Sequence, residues 1–170
     1  MCRPQVSTCS AASPFTIGDV MPNPTPRASI DQTIDSLIEL AGCSVEHRVL
    51  LAGATKPDRI PDWRSRGYHH VATMATSRLP RGQYDVAFVE WRQHSIKALE
   101  TMLDWLVDFL SPRGVLVISI DLASDTATAR RRLRSAIERL GFRAETGRRC
   151  ESGFAVSARR LNAGLQVMAA

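Results

Sequence analysis

The segment Val115-Leu116-Val117-Ile118-Ser119-Ile120 limits the fold more than any other part of the chain. Gly114 precedes it and Asp121 ends it. A run that is apolar at nearly every position has no face to offer water, so it must be covered on both sides. That describes a strand inside a mostly parallel sheet. Tyr84–Trp91, YDVAFVEW, reads as a second such strand, and Arg48–Gly53 as a third. His70–Met74 is a shorter fourth. Parallel neighbours cannot be joined by tight hairpins, so helices are expected between them.

The helical periods appear where they are needed. Ile30, Ile34, Leu37, Ile38 and Ala41 recur on one face, and Gly42 stops the helix. Ser29 and Gln32 have capping-box spacing, which places the start of order at Ser29. Pro57–Arg66 reads as a short helix, with Pro61 a point where it could break. Ile96–Leu110 carries Leu99, Met102, Leu103, Leu106 and Leu110 inward, widened by Trp105 and Phe109, before a turn at Ser111–Gly114. Thr126–Leu140 turns Leu133, Ile137 and Leu140 inward and its arginines mostly outward. Phe142–Arg148 and Phe154–Arg160 read as two closing strands around a loop. The expected architecture is α/β: a single three-layer Rossmann-like domain over residues 29–160, with a mostly parallel sheet of about six strands and a C-terminal antiparallel hairpin. Residues 1–28 and 161–170 read as tails, and Met21 offers a second start.

Composition narrows the class of function. No apolar run approaches the roughly 20 residues of a membrane helix, so no membrane partner is expected. None of Cys2, Cys9, Cys43 and Cys150 falls in a C-x-x-C or zinc-type spacing, which fits incidental thiols in a reduced, cytoplasmic setting and gives no metal site. The net charge of +5 is unevenly placed: residues 130–160 hold ten arginines against Glu138, Glu145 and Glu151. A nonspecific anionic partner could use the Arg130–Arg139 region. The alternative is a solvated helix face, and no aromatics interleave there for base stacking.

In sheets of this kind, ligands bind beyond the carboxyl ends of the strands, where the strand order reverses. The stretches to inspect are therefore Gly53–Lys56, Met74–Ser77, Glu90–His94 and Asp121–Ser124.

YDVAFVEW, a long amphipathic helix and then FLSPRGVLVISID together resemble the second half of class I S-adenosylmethionine-dependent methyltransferases. SRLPRGQYDVAF is similar to the family's approach to the same strand, and the closing hairpin also fits. The resemblance spans Ser29–Arg160 and is best over Leu79–Asp121. It implies S-adenosylmethionine as cofactor and a small molecule or macromolecule as methyl acceptor. Carried onto this chain, it implies cofactor contacts from Gly53, Ala54 and Thr55 after the first strand and from Thr76 and Ser77 after the second. Leu79, Glu90 and Trp91 would complete the site, with Glu90 and His94 as the catalytic candidates.

The chain departs from the family pattern in three places. The first loop reads LLAGATKPDR, with Gly53 its one glycine and no acid at its entry. The second strand ends Met74-Ala75-Thr76-Ser77, without the carboxylate that accepts ribose hydroxyls. The interval before Tyr84 is short, as if one helix–strand unit were absent. A non-catalytic Rossmann-like module for protein or nucleic-acid interaction is therefore the alternative reading. Each candidate residue also has a plain structural role: Glu90 as a polar strand end, His94 in a helix N-terminal turn, Trp91 buried against the next helix. His69 and His70 are strand neighbours on opposite faces, and Asp104 and Asp108 share a solvated helix face.

Overall fold

A computed structural model describes residues 26–53, 59–74, 79–92, 95–121, 126–150 and 153–161. Helix α1 (Pro26–Ala41) leads into strand β1 (Val49–Gly53), then α2 (Ile60–Ser65) and β2 (Val71–Thr73). Strand β3 (Tyr84–Trp91), α3 (Ile96–Leu106), β4 (Leu110–Asp121) and α4 (Ala127–Arg139) follow. Strands β5 (Phe142–Cys150) and β6 (Gly153–Arg160) close the chain.

The six strands form one sheet in the order β2-β1-β3-β4-β6-β5. The first four run parallel, β6 joins β4 antiparallel, and β5 pairs with β6 as a hairpin. Both faces are covered, as the unbroken apolar strands require. Val49, Leu51, Val86, Phe88, Val115 and Val117 pack under Ile34 and Leu37 of α1 and Trp63 of α2. Leu50, Ala87, Val89, Leu116, Ile118 and Ile120 pack under Leu99, Leu103 and Leu106 of α3 and Leu133 and Ile137 of α4. The three layers, the six strands and the closing hairpin agree with the sequence expectation.

Several boundaries differ from it. Helix α1 begins at Pro26, so Ser29 lies inside the helix rather than at its cap. Proline suits a first helical turn, where its missing N–H breaks no bond. The same rule corrects the reading of Pro61: it sits at the start of α2, at N1/N2, and opens that helix instead of breaking it. Helix α3 stops at Leu106, and a single 3₁₀ turn over Val107–Phe109 carries the chain into β4. Strand β4 starts at Leu110, five residues before the expected Val115. Tyr84 pairs with Leu110 and Val86 with Val115, so Ser111–Gly114 is an excursion within the strand rather than a turn ahead of it. Leu110, 1% exposed, is held in the core and fixes the backbone before the excursion. Trp105 does not widen the buried face of α3: it is 42% exposed and tilts against Phe109, centroids 4.4 Å apart. Thr126 caps α4 by accepting from the Ala129 N–H at 3.0 Å.

Candidate functional site

The strand order reverses between β1 and β3. The chain leaves β1 for β2 on one side and returns to β3 on the other. The carboxyl ends of these two strands are where an α/β sheet of this type opens for a ligand.

Gly53 ends β1 opposite Glu90 of β3, and Glu90 pairs in turn with Ser119 of β4. All three lie on the α1–α2 side, because each follows the alternation of inward residues on its strand. Gly53 has φ +83°, where L side chains rarely sit. A Cβ placed there would stand 2.2 Å from the Glu90 carbonyl oxygen. The glycine therefore allows β1 to turn away while its backbone lies directly against β3.

Glu90 is 15% exposed at its side chain. Its Oε2 faces the Arg59 guanidinium at 3.5 Å, and its Oε1 accepts from Arg92. Arg59 arrives at the N-terminal end of α2, and that helix is pinned by Trp63. The Trp63 ring packs on Phe88 at 4.7 Å and edge-on to Tyr68 at 5.4 Å. The buried indole thus sets α2 against β3 two residues before Glu90. Tyr68 donates to the Cys43 carbonyl at 3.1 Å, linking the end of α2 to the end of α1. Burial pushes the Tyr68 phenol up to about 12, with the neighbouring Cys43 and Asp35 adding to the rise. Burial likewise pushes the Cys43 thiol up to about 11, against the lowering effect of its bond with Tyr68. Neither group is an acid or base near neutral pH.

Among the described residues the space at these strand ends is small. Thr33, Leu37, Leu51, Arg59, Glu90 and Ser119 are among the residues around a cavity of about 20 Å³, room for roughly one water.

The sequence-derived candidates fall in three groups. Gly53 and Glu90 meet at the site. Trp91 and Leu79 lie on the other side of the sheet: Trp91 is 7% exposed within the α3–α4 core, and Leu79 packs against it. Ala54, Thr55, Thr76, Ser77 and His94 fall outside the described residues. Among the described residues no group of His, Cys, Asp and Glu is gathered as a metal centre. Asp104 of α3 and Asp108 of the 3₁₀ turn after it are both exposed, so they share a solvated surface but not one helix.

Sequence reasoning passed over Arg59 and Ser119. Arg59 reaches Glu90 across the fold and leaves no spacing signal. Ser119 did leave one: it is the single polar residue in VLVISI, and it is 8% exposed in the row with Glu90.

The topology, the reversal at β1/β3 and the closing hairpin define a class I S-adenosylmethionine-dependent methyltransferase-like fold. Solved structures of such proteins share it at low sequence identity. Magnesium protoporphyrin IX methyltransferase from Synechocystis PCC 6803, with bound SAM, superposes with TM-score 0.55 at 15% identity, over 85% of this chain and 87% of that one. A putative S-adenosylmethionine-dependent methyltransferase from Listeria monocytogenes gives TM-score 0.51 at 9% identity, over 75% of this chain and 96% of the other. The cyclase SpnF gives TM-score 0.55 at 13% identity, over 76% and 81%. No family model matches the sequence, and no curated protein matches it. A cyclase among these structures underlines that the fold does not by itself choose a reaction.

The fold family implies S-adenosylmethionine, and the described residues meet it halfway. Gly53 supplies the left-handed turn at the end of β1. The end of β2, Thr73 and Met74, supplies no carboxylate for ribose hydroxyls. Glu90 is a carboxylate at the correct end of the sheet, but both of its oxygens are engaged by guanidinium groups. At the ends of β2 and β3 the described residues offer a ribose no unengaged carboxylate, and no step of methyl transfer follows from them.

Proposed function

We propose that this chain is a methyltransferase-like protein that takes S-adenosylmethionine weakly at the carboxyl ends of β1 and β3, with methyl transfer slow or lost. The observation that carries the reading is the Gly53–Glu90 junction. A glycine with φ +83° turns the chain away at the strand-order reversal, beside a half-buried carboxylate. The weakness follows from the missing acceptor. An unpaired polar ligand group costs about 1–3 kcal/mol. Two such groups move a micromolar site toward the millimolar range, since each factor of ten is about 1.4 kcal/mol.

Titration calorimetry with S-adenosylmethionine and S-adenosylhomocysteine is the test. Binding weaker than about 100 µM but measurable supports the reading. No heat at millimolar ligand refutes it. Arg59→Ala frees Oε2 of Glu90 to accept a hydroxyl and is expected to tighten binding several-fold. The gain should vanish when Glu90→Gln is added. Equal tightening in the double variant would remove Glu90 from the site.

The cavity of about 20 Å³ favours a second reading, in which the fold persists as a non-catalytic interaction module. Methyl transfer that disappears in Glu90→Ala, with the fold intact, would exclude it.

A further inference from the structure

A cavity lies far along the sheet from Gly53, between α4 and the β5–β6 hairpin. It measures about 390 Å³, within the size range of small-molecule sites. Its floor is apolar: Leu133 and Ile137 from α4, Phe154 and Val156 from β6. Gly147 of β5 leaves the floor flush, because a Cβ there would come within 2.5 Å of the Phe154 ring.

Its rim is cationic. Arg130, Arg131 and Arg134 stand along the α4 side. The Arg130 guanidinium lies over the Phe154 ring, 5.1 Å from the centroid, which fixes it at the mouth by attraction to the π face. Arg134 bonds Glu138 at 3.3 Å, an exposed pair one helical turn apart that breaks readily. Arg131 has no carboxylate partner among the described residues. Glu145, the one acid of the rim, is occupied by Arg159 at 2.8 Å.

We infer that this groove binds a small amphipathic carboxylate with an aliphatic tail, the tail on the Leu133–Ile137–Val156 floor and the head between Arg131 and Arg134. The proposal goes beyond the nucleoside site and is independent of it. Guanidinium forks match carboxylates bidentately, which lysines would not. The walls are branched aliphatic, and one face of the only aromatic ring is already taken by Arg130. A hydrocarbon chain therefore suits the space better than a stacked base.

The test is binding of decanoate to the full chain, followed by displacement of 8-anilinonaphthalene-1-sulfonate fluorescence and by calorimetry. The expected result is saturable one-to-one binding, weakened by added salt, with decanol and decyltrimethylammonium binding at least tenfold less tightly. The paired variant Arg131→Glu/Arg134→Glu alters exposed positions only. It should weaken decanoate tenfold or more while leaving the melting temperature and any S-adenosylmethionine heat unchanged. Val156→Trp fills the floor and should abolish the site; thermal melting checks its fold. Equal binding of decanol, or an unaltered decanoate affinity in the double-Glu variant, overturns the proposal. So does a duplex oligonucleotide that displaces decanoate at lower concentration, which would assign the surface to nucleic acid.

Discussion

At the carboxyl ends of β1 and β3, Arg59 and Arg92 hold the one carboxylate and leave a cavity of about 20 Å³. Along α4, Arg130, Arg131 and Arg134 border about 390 Å³ over an apolar floor. The two regions lie on one sheet and use the same side chain. In the first, the Glu90 carboxylate is satisfied within the chain and the described residues leave little space. In the second, the arginines stand at the rim of an open apolar floor. Strand topology says where a sheet of this kind can bind a ligand. A cationic rim over open apolar surface says where this one has room to.

The sharpest way to break the comparison is at two glycines with similar backbones. Gly53 (φ +83°) and Gly141 (φ +78°) both sit in the left-handed region. A Cβ at Gly53 meets the Glu90 carbonyl oxygen at 2.2 Å, whereas one at Gly141 meets nothing within 4 Å. Gly141→Ala should destabilise by about 1 kcal/mol, from backbone strain alone. Gly53→Ala adds overpacking against backbone and should lose about 3–5 kcal/mol in urea unfolding. Equal losses would mean that β1 and β3 are not held in close contact.

A smaller effect is expected at the wall of the open groove. Thr126→Ala removes the cap of α4 and should lower stability by about 1 kcal/mol. It should loosen decanoate binding without altering S-adenosylmethionine heat, because α4 packs mainly on β5 and α3. A change in both would couple the two regions.

The smallest effect is confined to alkaline pH and belongs to the packing of α1 and α2. Cys43 and Tyr68 have folded pKa values of about 11 and about 12, raised from 9.0 and 10.0. Between these values the unfolded chain has released protons that the folded chain still holds. Stability is therefore intact below pH 9 and falls as pH rises from 9 to 12. Cys43→Ala and Tyr68→Phe should each flatten that fall in thermal melts. A slope unchanged in both variants would place the titrating groups elsewhere.

Much of the fold was legible because its signals are local. VLVISI and YDVAFVEW have only one environment that suits them, and the leucines of α3 repeat at a period that nothing else explains. Boundaries set by tertiary packing were not legible. Leu110 belongs to β4 because the core takes it, although Ser111–Gly114 has every mark of a turn. Trp105 lies outside because Phe109 takes the buried place beside it. The site was half legible for the same reason. Gly53 and Glu90 could be found from strand ends, but the Arg59–Glu90 pair is made by α2 docking through Trp63, and no spacing encodes it.

The long outer strand β5 has one further consequence. It is the last strand of the sheet and carries Arg143, Arg148 and Arg149 over nine residues. Arg148 is paired with Glu39 of α1, and long charged side chains along an outer strand discourage edge-to-edge pairing. The opposite border, β2, spans only three residues and gives an incoming chain little to zip onto. Charge on one flank and brevity on the other leave an incoming strand little to pair with.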